Sequence, residues 1–530
     1  MRVLVPLPVL LCLLGCAVTF VLGRRPRAQR AVTLTVLSGV VATSAALLVL
    51  AVTEGPQHVT VGGWPAGVGI GLVADRLSAL VLLTSSVVTL VVMVFSIGQG
   101  RTGDERSTPV SIYHPTYLAL TAGVCIAFLA ADLFNLYVGF EVLLTSSYVL
   151  LALGGTGARI RAASTYVVVS LVSSLVFLTG VGLVYAATGT VAMADLAGRI
   201  AALPPAVATA LQLVLLVAFG IKAAAFPLSG WLPDSYPAAA APVAAVFAGL
   251  LTKVGVYAIV RTHDLLFGPG TLRVLLLAVA LATLVVGICG AVVQHDLRRM
   301  MSFTLVSHIG YMLFGIGLGS AAGVAAAVFY AVHHILVQTA LFLVVGLVEH
   351  RTGTTSLQRL GGLAALAPGT AVLFLLPALN LAGIPPFSGF LGKLALLRAG
   401  VADGRWDAWV LVVASVVTSL LTLYAIARAW SAVFWAGRLG FAHGTEQDVE
   451  QHARQHTGEH TGERDGGPVA DRRPRRTMVA ATTGAVVAVT ALSLAGGPLL
   501  SIAEGAAADT LDAQRFLRVV GGVDDAGGEP

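Results

Sequence analysis

LQLVLLVAFGIKAAAFPLSGWLPDSYPAAAAPVAAVFAGLLTKVGVYAIVR, residues 211–261, contains two apolar runs joined by a turn broken by Pro and Gly. Each run is long enough to cross a bilayer. Each also holds one lysine, Lys222 and Lys253. Of the 32 Lys and Arg in the chain, only these two and Lys393 are lysine, and the basic positions of the loops are all arginine. A guanidinium stays charged in proteins, whereas a desolvated ammonium can release its proton. Lysine confined to oily segments therefore reads as a group retained because its charge can switch. The alternative is a lysine that snorkels or sits in a structural ion pair. An ionisable residue inside a span costs at least ~2.5–3.5 kcal/mol on insertion scales, which makes it a functional candidate by default.

Composition places these runs in a polytopic membrane protein. The 530 residues are 57% hydrophobic and 11% charged, against about 25% charged in a soluble domain. Mean hydropathy is +0.89. The pattern predicts an all-α chain of about fourteen spans of ~20 residues, with no room for a large soluble domain. The net charge of +6 does not call for nucleic acid, because the arginines fall in alternate loops. Arg101, Arg106, Arg159, Arg161, Arg298, Arg299, Arg351, Arg359 and the run from Arg438 to Arg476 would all face one side. Positive loops stay cytoplasmic. That rule puts the N-terminus, and with an even span count the C-terminus, on the extracytoplasmic side.

At the start, Arg2 is the single charge before the apolar run, and Arg24, Arg25, Arg27 and Arg30 follow it. This is the order of a retained first helix rather than a cleaved signal. Leu13-Leu14-Gly15-Cys16 weakly resembles a lipoprotein box. Cys12, Cys16, Cys125 and Cys289 lie in apolar runs without metal spacing and read as core packing. Organisation along the chain is read as 1–113, three N-terminal spans; 114–262 and 263–437, two five-helix units; 438–476, a polar His/Arg-rich loop; and 477–530, a last span and a weakly amphipathic tail. His443, His452, His456 and His460 have irregular spacing and read as part of a solvated linker.

Two interruptions echo each other. AFPLSG (225–230) follows Lys222, and GIPPFSG (383–389) precedes Lys393. Paired broken helices in corresponding halves point to an inverted repeat with an ion site at each break. The freed backbone groups are tolerated at membrane depth only where protein or cavity water satisfies them. Glu141 is the one mid-span glutamate. The candidate site is Glu141, Lys222, Lys253, His308, His333, His334 and Lys393. Glu141–Lys222 reads as an ion pair, Lys253 as a central relay and Lys393 as a terminal one, linked by histidine. His308 reads equally as a packing hydrogen bond. His333 and His334 point about 100° apart, so at most one is expected to face the relay squarely. Asp132, Asp234 and Asp296 lie at span ends and read as caps or orienting charges.

FNLYVGFEVLLTSSYVLLALGG, the 211–261 stretch, HDLRRMMSFTLVSHIGYM, HHILVQTALFL and LAGIPPFSGFLGK together resemble the antiporter-like subunits of respiratory complex I and of Mrp-type sodium/proton antiporters. The likeness covers roughly residues 60–440. AADLFNLYVGFEVLLTSSYVLLALGGT and GTVAMADLA are most similar to the D-type subunit of the Mrp group. The resemblance implies fourteen helices, two inverted five-helix repeats, and broken helices seven and twelve. It implies a Glu–Lys pair at Glu141 and Lys222, a central Lys253 and a terminal Lys393. It further implies other Mrp membrane subunits as partners in the bilayer, H+ and Na+ as cargo, and neither redox cofactor nor nucleic acid. Ser229 stands where relatives often carry His, and Gln338 where they often carry Lys. Three readings result: a subunit of a cation/proton antiporter; the same module driven by a dehydrogenase or hydrogenase; and a non-conducting scaffold, whose sign would be loss of the buried charges.

Overall fold

The computed structural model describes residues 2–64, 69–100, 110–435 and 474–512. Most of the 438–476 loop, with its four histidines, and the last part of the tail lie outside them.

Fourteen helical segments form the bundle in order. They are α1 Leu7–Val21, α2 Pro26–Thr53, α3 Arg76–Gln99, α4 Val110–Leu129, α5 Leu133–Ala152, α6 Gly157–Thr188 and α7 Pro205–Ala223. Then come α8 Ala241–Phe267, α9 Arg273–Val292, α10 Leu297–Gly317 and α11 Ala321–Thr352. Next are α12, in two halves Pro368–Ala382 and Ser388–Asp403, α13 Trp406–Trp435 and α14 Arg476–Leu494. Twelve of these are long and apolar enough to cross a membrane; α1 and the first half of α12 are shorter, at 15 residues each. One small hairpin interrupts the helices, β1 Gln57–Thr60 against β2 Gly71–Ala74, antiparallel with Gln57 opposite Ala74. Its burial comes from position: β2 bridges to Ala130 at the end of α4.

Helix α10 starts earlier than the apolar pattern suggests. It begins at Leu297, so Arg298 and Arg299 lie in its first turn, capped by Asp296, which accepts from the Arg299 amide at 2.9 Å. A capped first turn can hold basic residues whose heads reach out of the apolar layer. The described part of the weakly amphipathic tail forms a further helix. Here α15, Gly496–Leu511, packs on α11, α3 and α8, and its Asp509 pairs with Arg76 at 3.4 Å. Small residues such as Ala503, Ala506 and Ala507 let it lie close. The cysteine reading needs one correction: Cys289 is exposed on α9, whereas Cys12 and Cys125 are buried.

One turn is built twice. Thr188 Oγ1 accepts from the Thr190 amide, the Thr190 hydroxyl accepts from the Ala192 amide, and Asp132 bridges to Ala192. In the second half of the chain Thr352, Thr354, Ser356 and Asp296 repeat the arrangement. Each turn follows a helix of 32 residues, α6 or α11, that ends in a left-handed glycine, Gly189 at φ 73° or Gly353 at φ 72°. The chain crosses the bundle with α5, α6, α7, α8 and α9 between the start of α5 and the start of α10. That number is odd, so the two copies lie at opposite ends.

Of the arginines predicted to share a side, Arg159, Arg298 and Arg299 converge, while Arg101, Arg106 and most of the Arg438–Arg476 run lie outside the described residues. Arg159 and Arg298 both donate to carbonyls of the 237–239 turn, and Arg299 pairs with Asp234 at 3.0 Å. At the opposite end Arg273 gathers Asp403, Asp407 and the Leu318 carbonyl. Between these rims, α8 and α11 are buried along their whole apolar windows and form the centre of the bundle.

The α12 break is closed by Gly389, whose amide donates to Asn380 Oδ1 at 2.8 Å. A Cβ at this position would sit inside the Asn380 carbonyl oxygen. Gly389→Ala is therefore expected to cost at least ~1–3 kcal/mol through overpacking. A lowered thermal midpoint of the purified protein would register it.

Candidate functional site

All three lysines are enclosed, with 3%, 1% and 6% exposure for Lys222, Lys253 and Lys393. What differs among them is their hydrogen bonding, set by how the chain breaks around each.

Lys222 sits in the last turn of α7, which stops as Ala224 turns left-handed at φ 57°. Its Nζ has no hydrogen-bond partner. Glu141 on α5 accepts instead from the Ser174 hydroxyl of α6. No hydrogen bond or ion pair joins the Glu141 carboxylate to Lys222 Nζ. The expected Glu141–Lys222 pair is therefore not a closed contact.

Lys253 lies just after a π turn at Phe247–Leu251. The wider turn frees a carbonyl from the regular ladder. Lys253 Nζ donates to that of Ala248 at 2.7 Å.

Beyond Lys253 lies a cluster of imidazoles and phenols. His308 on α10 stacks on His334 of α11, with ring centroids 5.3 Å apart. Tyr330 Oη lies 2.7 Å from His308 Nδ1, and its ring is 5.3 Å from His333. His333 Nδ1 is 2.9 Å from Ser388 Oγ at the α12 break, and Ser388 donates to Asn380 Oδ1 at 3.3 Å. Both adjacent histidines therefore join the cluster. The 100° between them places His333 towards the break and His334 towards His308. A helix buried on every side offers polar neighbours in both directions.

Lys393 closes the series with three acceptors: Leu381 O at 3.0 Å, Ala382 O at 2.9 Å and Ser419 Oγ at 2.9 Å. Two are end carbonyls of the first half of α12, where the negative end of a helix dipole favours a cation. The Tyr311 ring centroid lies 5.2 Å from Nζ, within cation–π range. Gly383, at φ 86°, both turns the chain and lets the side chain pass; a Cβ would come within 2.8 Å of Lys393 Cδ. A cavity of about 200 Å³ adjoins Lys393, Ser415 and Ser419.

Lys222, Lys253, His308, His333, His334 and Lys393 are all buried; hydrogen bonds and ring contacts join the three histidines, through Tyr330, to one another and to the α12 break, whereas Lys222 and Lys253 make no side-chain contact with each other or with the cluster. His334 is within electrostatic reach of both Lys253 and Lys393, and so is His308. In a low-dielectric interior, charge on one group changes the cost of charging the next. Ser174, Tyr311, Tyr330, Ser388 and Ser419 were not singled out by the sequence. Ser388 was visible within GIPPFSG, and Tyr311 three residues after His308. Gln338 donates to the Met301 carbonyl at 2.7 Å, and Ser229 is buried in the break after α7. Asp132 and Asp296 cap helices as expected.

Residues 130–422 match the family model described as NADH:quinone oxidoreductase/Mrp antiporter, transmembrane. The D-type subunit of the Na(+)/H(+) antiporter of Alkalihalophilus pseudofirmus is 38% identical over 82% of this chain and 87% of its own length. A chain in the structure of the Mrp complex from Dietzia sp. superposes with a TM-score of 0.86 at 32% identity, covering 98% of this chain and 100% of that one. A chain of respiratory complex I from Thermus thermophilus gives 0.73 at 25% identity, with 94% and 99% covered.

Proposed function

From the premise that this chain belongs to the NADH:quinone oxidoreductase/Mrp antiporter membrane family, we propose how it moves protons within a multisubunit sodium/proton antiporter. The observation that supports this reading is that Lys222, Lys253, His308, His333, His334 and Lys393 are all buried in one bundle, with the histidines clustered beside the α12 break. Glu141 stabilises charge at Lys222 and is the loading element. When it draws a proton to Lys222, charge at Lys253 becomes costlier, and the imidazole cluster passes the proton on. Lys393, with its three acceptors, is the holding site at the far end. The two chain breaks supply the backbone carbonyls and turns that seat the end lysines.

In this reading the units 114–262 and 263–437 are inverted five-helix repeats, and the doubled Thr-Gly-Thr turn supports them. Both termini lie on the extracytoplasmic side of the cell membrane, with the arginine rim inside. Other membrane subunits of the antiporter surround the chain, and Na+ is the coupled ion. The rival, a module driven by a redox arm, has support in the complex I likeness at lower identity. Purification under mild detergent separates them: small membrane subunits alone fit antiport, and iron–sulfur subunits fit the rival.

Glu141→Ala is expected to lower proton uptake driven by a sodium gradient by about 10²-fold in vesicles. Near-normal exchange in an assembled complex would remove Glu141 from the path.

A further inference from the structure

The α12 break carries a buried side chain that the relay does not use. Asn380 lies in the last turn of the first half, just before Leu381 and Ala382, whose carbonyls seat Lys393. Its Oδ1 accepts from the Gly389 amide at 2.8 Å and from the Ser388 hydroxyl at 3.3 Å. Its Nδ2 has no hydrogen-bond partner. Ser388 Oγ also lies 2.9 Å from His333 Nδ1, and His333 Nε2 has no hydrogen-bond partner. Asn380, Ser388 and His333 are all fully buried.

The direction of each bond follows from one fixed donor. The Gly389 amide can only donate, so the atom facing it is the Asn380 oxygen and not its nitrogen. That oxygen can only accept, so the Ser388 hydrogen points to it. A hydroxyl has one hydrogen, and Ser388 therefore meets His333 with a lone pair. His333 Nδ1 must then carry a hydrogen, and the neutral ring has its free lone pair on Nε2. The donors run from His333 through Ser388 to Asn380. They stop there, because a side-chain amide has no proton to pass on and does not titrate.

The elements packed on the break leave these bonds in place. From α14, Ser493 Oγ accepts from the Ser388 amide at 2.9 Å and so holds its backbone, not its hydroxyl. The ionisable groups around the cluster are Tyr330 and His334 of α11, His308 and Tyr311 of α10, and Lys393 of α12. Tyr330 Oη is turned to His308 Nδ1, Tyr311 Oη donates to the Ser415 carbonyl, and Lys393 Nζ is turned to its three acceptors. Neither nitrogen of His334 has a hydrogen-bond partner among the described residues. One of the two adjacent histidines is thus held in a single tautomer, and the other is not.

We propose that Asn380 is a positioning residue: acting through Ser388, it keeps the hydrogen of neutral His333 on Nδ1 and reserves Nε2 for the transported proton. This deepens the relay reading and rests on it. A proton arriving at Nε2 makes the imidazolium, Nδ1–H still donates to Ser388, and the proton departs again from Nε2. Nothing crosses from Nδ1 to Ser388. His333 is thus a store beside the path to Lys393, while His334, with neither nitrogen tied, is free to carry a proton through. Charge on the His333 ring strengthens its bond to Ser388, so the loaded store grips the same helix end that seats Lys393.

The test uses the complete complex in membranes, with histidine isotope-labelled at its ring nitrogens, and reads the tautomer by solid-state nitrogen NMR. The His333 signal is the difference between the parent spectrum and that of His333→Gln. The expected parent ring has its hydrogen on Nδ1 and a bare Nε2. Ser388→Ala and Asn380→Leu should lose that preference, with proton exchange in vesicles slowed about 10-fold and its pH profile displaced. Ser388→Thr, which keeps the hydroxyl, should restore most of both. A parent ring with its hydrogen on Nε2 would overturn the positioning, and slow exchange in His333→Gln would then leave the relay standing. An unchanged ring in an assembled Ser388→Ala complex would overturn it equally. Parent exchange in His333→Gln would remove His333 from the relay, and the store with it. Should Asn380→Leu not assemble, Ser388→Ala decides, since it leaves the Gly389–Asn380 bond in place.

Discussion

Lys253→Ala is expected to reduce sodium-driven proton exchange by about 10²-fold or more, and Lys253→Arg is expected to leave it just as low. Lys253 is the ionisable group between the Lys222 end and the imidazole cluster, and His308 and His334 are both within its electrostatic reach. Removing it leaves a gap across the α8 centre with no other titratable side chain placed to fill it among the described residues. Arginine would keep positive charge near the Ala248 carbonyl but would not release a proton. Failure of the arginine variant therefore separates a relay from a fixed charge. Dye-reported proton movement in inverted vesicles, with assembly checked on a native gel, measures both. Arginine supporting the parent rate would sink the switching role.

Arg261→Ala should produce the largest loss of stability. The guanidinium grips both Asp75 oxygens, at 2.6 and 2.8 Å, and also donates to Tyr257 Oη, which itself donates to the Phe128 carbonyl at 2.7 Å. Asp75 also caps α3 by accepting from the Ser78 amide. One bidentate pair thus ties α8, α3 and α4 together at one rim. Stripping one partner from a buried pair costs about 3–5 kcal/mol because the other charge is stranded. The double variant Arg261→Met with Asp75→Asn keeps a cap acceptor and strands no charge, so it should recover much of the loss. Thermal unfolding of the purified protein compares them. Equal losses in single and double variants would show that packing, not charge, dominates.

Polarity within an oily chain made the spans, the breaks, the arginine rim and the three lysines legible from sequence. Each costs enough when buried to be visible without neighbours. The hidden features depend on contacts between distant segments. The pairing of Arg261 carries no mark in the sequence, because its partner Asp75 is far away in the chain. Nothing in the small-residue run SIAEGAA (501–507) marks α15 as buried; its cover of α11 is a tertiary fact. Glu141 and Lys222 read as a direct pair, yet Ser174 takes the carboxylate. Tyrosine and serine reveal no role by composition, so Tyr330, Ser388 and Ser419 waited for geometry.

The packing of α15 bears on how membrane sidedness is probed. Reporter enzymes are often joined near a C-terminus after the final apolar segment. A fusion placed before Gly496 would delete the helix that shields α11 and answers Arg76. Its signal would come from an opened bundle with a lone arginine at the hairpin's edge. A fusion placed beyond Leu511 keeps the strap and gives a trustworthy reading of which compartment that end occupies.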